Sequence, residues 1–164
     1  MYLILGAGML YAAISDIRTK KIPNALTFPL MLVGVLANTA TGEGWQFALT
    51  GLGVAFALHY VLASLSLEGA GDAKLMMAVG AFLGWETMLE ATVWRYVFLF
   101  PYGIIALTVM GRWANFIAAS RWTLLKAQGV DAGERPEPTL LPFGPLLALS
   151  VPPAIQTDWL NFFV

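Results

Sequence analysis

The sequence predicts an all-α, polytopic membrane protein with about six transmembrane helices and both termini on the outer side. Of the 164 residues, 59% are hydrophobic and only 12% are charged, and the mean hydropathy is +0.72. Charged residues make up about a quarter of a typical soluble domain, so lipid is the solvent for most of this chain. The third observation is a series of six apolar stretches, each near the roughly 20 residues that a helix needs to cross a bilayer.

Turn and charge signals separate the six stretches. The first covers residues 1–16, and we expect it to be retained because it lacks the basic segment that opens a secretion signal. The segment Ile22-Pro23-Asn24 begins the second, since proline is tolerated in the first turn of a helix. The length predicts one membrane-embedded domain over residues 1–164. The later spans are expected at residues 24–41, 45–67, 73–89, 93–112 and 142–158.

The longest loop, residues 113–141, differs in composition from the short connections elsewhere. Its first part mixes basic and aromatic side chains, among them Arg121, Trp122 and Lys126, a pattern typical of a helix that lies along the lipid headgroups. The polar stretch 131–138 contains two prolines and predicts irregular structure. We therefore expect a cytoplasmic or interfacial loop with a membrane anchor inside the single domain.

Positive charge in the loops predicts the orientation of the spans. The positive-inside rule makes the side with most basic residues cytoplasmic. Only Arg95 falls on the other side, where we expect it to form an anchor pair with Glu90. Eight of the nine basic residues collect on the cytoplasmic side: Arg18, Lys20, Lys21, Lys74, Arg112, Arg121, Lys126 and Arg135.

Two acids at the edges of apolar spans are the main candidates for chemistry. An ionisable residue at such a place is expensive, which makes it a functional candidate by default. Asp16 ends a span that runs inward and Asp72 begins a span that runs outward, with two complete spans between them. Both acids should therefore emerge at the cytoplasmic face. Gly69 and Gly71 flank Asp72 and would let the backbone of an extended substrate approach closely.

A pair of neighbouring carboxylates is the chemistry of an aspartic protease. Two such groups cannot both ionise cheaply, so they share one proton. The charged member takes a proton from water while the neutral member donates to the carbonyl oxygen of a peptide bond. If Asp16 and Asp72 meet, the sequence predicts peptide hydrolysis that needs neither a metal nor a cofactor.

Each acid also has a purely structural interpretation. In this interpretation Asp72 serves only as the N-cap of its helix, where an acid also favours the helix dipole. Asp16 is then a solvated acid whose charge is balanced by the basic residues that follow it. Lys74 is either a snorkelling cation or a group that tunes the charge of Asp72.

Three other polar or small-residue features have ordinary structural interpretations. Gly80 and Gly84 form a small-xxx-small pattern, which indicates close helix packing more than chemistry. His59 is expected to be a packed or interfacial residue without a ligand partner. Glu68 is expected at the rim of the site. The chain has no cysteine, which excludes disulfides, a thiol nucleophile and thiolate metal sites, and nothing indicates nucleic-acid binding.

Two segments in order resemble the prepilin peptidases, which are polytopic aspartyl proteases with a Gly-x-Gly-Asp motif. The segments are Asp16-Ile17-Arg18-Thr19-Lys20-Lys21-Ile22-Pro23-Asn24 and Gly69-Ala70-Gly71-Asp72-Ala73-Lys74-Leu75. The segment Leu141-Pro142-Phe143-Gly144-Pro145 is similar to a late segment of the same family. The closest resemblance is to the short members that serve Flp-type, or tight-adherence, pilus systems.

The resemblance implies a site and a substrate. Asp16 and Asp72 match the two catalytic acids, and the other matching positions belong to motifs or bind substrate: Gly69, Gly71, Lys74, Pro23, Asn24, Pro142, Gly144 and Pro145. The family cleaves a short basic leader from type IV prepilins at the cytoplasmic face of the bacterial inner membrane. The implied partners are a prepilin and the lipid bilayer. Larger members carry a cysteine-bearing insertion after the first span and also methylate the new N-terminus. This chain has no cysteine and only a short loop between Asp16 and the second span. It is therefore expected to lack methyltransferase activity.

Two functions of other classes compete with the peptidase. A non-enzymatic scaffold or assembly subunit of a pilus or secretion system would explain the short loops and the glycine packing face. It would not explain why both acids reach the same face. A proton-coupled transporter would use acids within its spans, but Asp16 and Asp72 lie at span edges rather than at the midplane.

Overall fold

Six helices account for nearly all of the described chain. The computed structural model describes residues 1–41, 43–65, 68–134, 136 and 144–157, and contains no strand among them. The all-α prediction is therefore confirmed. The helices are α1 (Tyr2–Thr19), α2 (Asn24–Thr41), α3 (Gly44–Ser64), α4 (Ala70–Met110), α5 (Trp113–Ala127) and α6 (Gly144–Thr157).

The apolar character of the helices fits a multi-pass membrane protein. By length and composition, α2, α3 and α4 can each cross a membrane, and α6 contains the shorter apolar segment Pro145–Gln156. Large apolar side chains point outward, with Leu3 90% exposed and Leu32 60% exposed. An outward-facing apolar surface is expected where lipid, rather than water, is the solvent.

The described residues form two units. The first unit comprises Met1–Phe98 with Pro142–Val164. Within it α1 packs against α2 and α6, and α2 packs against α3. Its core is built from buried apolar side chains of these helices and of the first part of α4, including Leu5, Met9, Leu30, Met76, Phe82 and Leu147. This unit contains both candidate acids.

The second unit, Leu99–Leu141, contains α5. None of the side chains of α5 is buried. The ammonium of Lys126 lies 4.7 Å from the centre of the Trp122 ring, and the indole N–H of Trp122 donates to the Gly133 carbonyl. The basic-aromatic stretch is thus helical, and its role as a membrane anchor stays a prediction.

The helix α4 reverses direction at Gly84. A straight helix would separate the Cα atoms of residues 72 and 95 by about 35 Å. The Arg95 guanidinium nevertheless lies 3.8 Å from the Asp72 carboxylate, so residues 70–83 and 85–98 must be two arms that fold back on each other. Gly84 has φ 81° and ψ 173° inside the assigned helix. We had expected the break between residues 89 and 93, which is several residues too late.

Two contacts explain why the reversal is at Gly84. A positive φ favours glycine, and a Cβ atom there would lie only 2.6 Å from Cε2 of Phe47. The Nδ2 atom of buried Asn38 donates to the carbonyls of Ala81 at 2.8 Å and Phe82 at 3.2 Å. These carbonyls lie in the last turn of the first arm, so Asn38 acts as a C-terminal cap.

The expected close packing of helix 4 is confirmed at both Gly80 and Gly84. Gly80 lies against the backbone of Gly51 on α3, where a Cβ on either residue would collide with the backbone of the other. A Cβ on Gly51 would also lie 3.0 Å from the carbonyl carbon of Gly84. Gly84, with its positive φ, supplies the turn as well.

Candidate active site

Asp16 lies in the last turn of α1 and is buried, with 8% of its surface exposed. The helix ends at Lys20, which has φ 55° and donates its backbone N–H to the Asp16 carbonyl. The hydroxyl of Ser15 donates to the Lys21 carbonyl at 2.9 Å, which holds the following loop against the helix end. The interpretation of Asp16 as a solvated acid is wrong, because the side chain turns toward the protein.

Asp72 lies in the first turn of α4 and is 6% exposed. The Gly69 backbone N–H donates to its carboxylate, and the Ala73 N–H donates to the Gly69 carbonyl at 3.1 Å. Gly69 is therefore the N-cap residue, and Asp72 reaches back to it as in a capping box. The side chain does stabilise the helix start, but from the third helical position instead of the N-cap.

The two acids lie within electrostatic range of each other. The loop after α1 contacts the motif of the second acid, because a Cβ on Gly71 would lie 3.1 Å from Cβ of Ile22. Gly71 therefore allows the loop that follows Asp16 to pack on the start of α4. That both acids emerge at one membrane face stays a prediction.

Arg95 also lies at this place, which corrects its expected position. Its Nη1 donates to Oε2 of Glu68 at 2.6 Å, and its Nη2 lies 3.8 Å from Oδ2 of Asp72. The side chain is 2% exposed. Its prediction as an outer-face anchor with Glu90 was wrong because the reversal at Gly84 returns the second arm of α4 to the level of Asp72.

Glu68 and His59 form a buried pair that the sequence did not reveal. Glu68, expected at the rim, has a side chain with no exposed surface. The Nδ1 atom of His59 lies 2.9 and 3.0 Å from its two carboxylate oxygens. His59 is packed as expected, but Nε2 also contacts the Thr92 hydroxyl at 3.2 Å. The sequence did contain one indication of this pair, because ionisable residues inside membrane spans usually pair with one another.

Two of the predicted motif residues contact each other across helices. The Lys74 ammonium donates to Oδ1 of Asn24 at 2.8 Å and lies 5.4 Å from the centre of the Phe28 ring. This contact joins the start of α2 to the start of α4. The Pro23 carbonyl accepts the backbone N–H groups of Leu26 and Thr27, so the prediction that proline begins the second helix is confirmed.

The late motif lies partly outside the described residues. Pro142 is among the undescribed positions, while Gly144 and Pro145 begin α6. This helix packs against α1, which carries Asp16. Among the described residues, no group of three His, Cys, Asp or Glu side chains is arranged to hold a metal ion.

Comparison with known proteins places these residues in a family. Residues 3–112, which include both acids, match the model of the type IV leader peptidase family. The chain is 39% identical over 85 residues to a protein named prepilin peptidase EppA from Methanothermobacter thermautotrophicus, covering 48% of this chain and 22% of the relative.

Two relatives carry the name prepilin leader peptidase/N-methyltransferase. The chain is 27% identical over 137 residues to the one from Escherichia coli, covering 75% of this chain and 61% of the relative. It is 30% identical over 152 residues to the one from Burkholderia pseudomallei, covering 88% and 42%. The chain thus spans less than two thirds of the length of each of these relatives. No solved structure matches it. The family match over residues 3–112, which is most of the chain, shows that the chain belongs to the type IV leader peptidase family.

Proposed function

We propose that this protein is a prepilin leader peptidase, with Asp16 and Asp72 as its catalytic acids. The observation that carries the proposal is that Asp16 of α1 and Asp72 of α4 are both buried and lie within electrostatic range of each other, inside the segment that matches the leader peptidase family. Relatives with peptidase names support the same reaction. A scaffold would have no need to bury two acids at one place.

The proposed reaction is hydrolysis of one peptide bond without a covalent enzyme intermediate. One carboxylate takes a proton from water, and the water oxygen attacks the peptide carbonyl carbon. The other acid gives its proton to the carbonyl oxygen. The tetrahedral intermediate then collapses, the C–N bond breaks, and a proton passes to the leaving amine. Both protons belong to the pair rather than to either acid alone.

We further propose that the site opens on the cytoplasmic face of a bacterial inner membrane, with both termini on the outer side. The cluster of Arg18, Lys20 and Lys21 directly after Asp16 supports this orientation through the positive-inside rule. Arg95, the one basic residue that had counted against it, lies beside Asp72. A single domain over residues 1–164, with residues 113–141 as its interfacial loop, completes the proposed topology.

The proposed substrate is a type IV prepilin of the Flp kind, and the proposed activity is peptidase without methyltransferase. Only residues 20–23 lie between α1 and α2, and the chain has no cysteine. The cysteine-bearing insertion of the larger members therefore has no counterpart after α1. The remaining motif positions, including Lys74 and Asn24, are proposed to shape the entry of the extended leader.

Coexpression with a Flp-type prepilin tests the proposal, with leader removal followed as a mobility shift on a gel. We expect Asp16→Asn and Asp72→Asn each to abolish processing. Glu86→Gln is the matched control, because it removes an exposed carboxylate on the same helix as Asp72 and should process normally. Normal processing by well-folded Asp16→Asn or Asp72→Asn protein would refute the assignment. A stable stoichiometric complex without cleavage would favour the assembly subunit.

A further inference from the structure

We propose that Arg95 is a positioning residue for Asp72, and that Glu68 and His59 hold Arg95 in place. This inference rests on the proposed peptidase function. Sequence patterns gave Arg95 no part in the site, and its place beside Asp72 follows only from the reversal of α4 at Gly84. The proposal explains why three further ionisable groups are buried beside a pair of acids.

The first support is the geometry of the guanidinium. Arg95 presents one nitrogen to Glu68 at 2.6 Å and the other to Asp72 at 3.8 Å. A guanidinium is planar and carries five donors in a fixed arrangement, so it can face two carboxylates at once. Because it is 2% exposed, water cannot readily replace either contact. The Asp72 carboxylate therefore has a fixed cationic neighbour on one side.

The second support is the chain of contacts that holds Glu68. His59 on α3 donates from Nδ1 to the Glu68 carboxylate, and Nε2 contacts Oγ1 of Thr92. The Thr92 hydroxyl in turn donates to the Met88 carbonyl at 2.9 Å. This series of contacts runs from the backbone of the second arm of α4, through His59 on α3, to Glu68 and then to Arg95. Such a network fixes the orientation of each member more strongly than a single pair would.

The third support is the local balance of charge. Asp16, Glu68 and Asp72 are three acids at one buried place, and the charges of Asp16, Glu68 and Arg95 all act on Asp72. Lys74 is bonded to Asn24. Removing one member of a buried ion pair leaves the other charge uncompensated, which is strongly unfavourable. Without Arg95, Asp72 would face only other carboxylates, and its side chain would turn away from Asp16.

The test compares three variants by single-turnover cleavage of a fluorescent prepilin peptide in detergent micelles. Arg95→Met removes the charge at similar length, and Arg95→Lys keeps the charge but not the planar fork. Ser150→Ala is the control, because it removes a buried polar side chain away from the reversal of α4, whose hydroxyl donates to the Leu147 carbonyl on α6. Size-exclusion chromatography gives the folded fraction, so that each rate is expressed per folded molecule.

We expect Arg95→Met to lower the rate by about 10- to 100-fold, the range expected when a reacting group is misplaced by about 1 Å. Arg95→Lys should recover part of that loss, and Ser150→Ala should keep the wild-type rate per folded molecule. A wild-type rate for folded Arg95→Met would overturn the proposal, as would equal losses in all three variants. If Arg95→Met does not fold, Arg95→Lys decides: a reduced rate supports the proposal and an unchanged rate overturns it.

The same assay separates this inference from the proposed function. Folded Asp16→Asn and Asp72→Asn proteins that still cleave would refute the two-acid peptidase itself. If those two variants are inactive while folded Arg95→Met cleaves normally, only the role of Arg95 fails.

Discussion

The reversal of α4 makes a sharp prediction for Gly84→Ala. A non-glycine residue held in a sparsely populated backbone region costs about 1–3 kcal/mol, and Gly84 has φ 81° and ψ 173°. The added methyl would also lie 2.6 Å from Cε2 of Phe47, and overpacking of this kind costs about 1–3 kcal/mol more. We therefore expect a loss of about 2–6 kcal/mol in the free energy of unfolding.

A thermal melt in detergent, followed by tryptophan fluorescence, measures the effect. At about 2–4 °C per kcal/mol for a chain of this size, the apparent melting temperature should fall by at least about 4 °C. Gly53→Ala is the matched control, because no atom lies within 4 Å of the added methyl and the residue is inside α3. That change should be neutral or stabilise by up to about 1 kcal/mol. Similar melting of both variants would refute the obligatory glycine turn.

Three further predictions concern stability. Gly71→Ala should destabilise the protein by about 1–3 kcal/mol because its Cβ would crowd Ile22 at 3.1 Å. Adding Ile22→Ala to that variant should recover part of the loss in melting temperature. No recovery would contradict the contact. Asn38→Ala should lower the free energy of unfolding by about 1–3 kcal/mol because buried carbonyls of α4 lose their donor. The same melt measures this effect, and an unchanged melting temperature would argue against the cap. Lys74→Met and Asn24→Ala should show a coupling energy of about 0.5–1.5 kcal/mol in a double-mutant cycle, since their side chains bond at 2.8 Å; strict additivity would count against that bond.

Much of the fold and part of the site could be predicted from local sequence. Hydropathy marks helices well, so α1, α2, α3 and α6 begin and end close to the expected residues. The parity of the spans is enough to place Asp16 and Asp72 on the same face, because it depends on the number of helices and not on their exact ends. The glycines around Asp72 and the proline after Asp16 also predicted tight local structure.

The position of the turn in α4 could not be read from the sequence for a physical reason. The residues around the turn, Gly80-Ala81-Phe82-Leu83-Gly84-Trp85, are all apolar, and in lipid neither an interior nor an exterior face requires polar residues to mark it. Only the contacts with Phe47 and Asn38, which come from other helices, show that Gly84 forms a turn as well as a packing surface. An error of a few residues there was enough to assign Arg95 to the wrong side.

The sequence by itself determined that this is a helical membrane protein, since composition and span length are properties of the chain alone, and span parity predicts that Asp16 and Asp72 reach one face. Only the tertiary structure decided which charges surround Asp72. Arg95, Glu68 and His59 come from separate segments, and buried charges find their partners through space rather than along the chain. Asp72 therefore lies beside Arg95 because of one glycine turn.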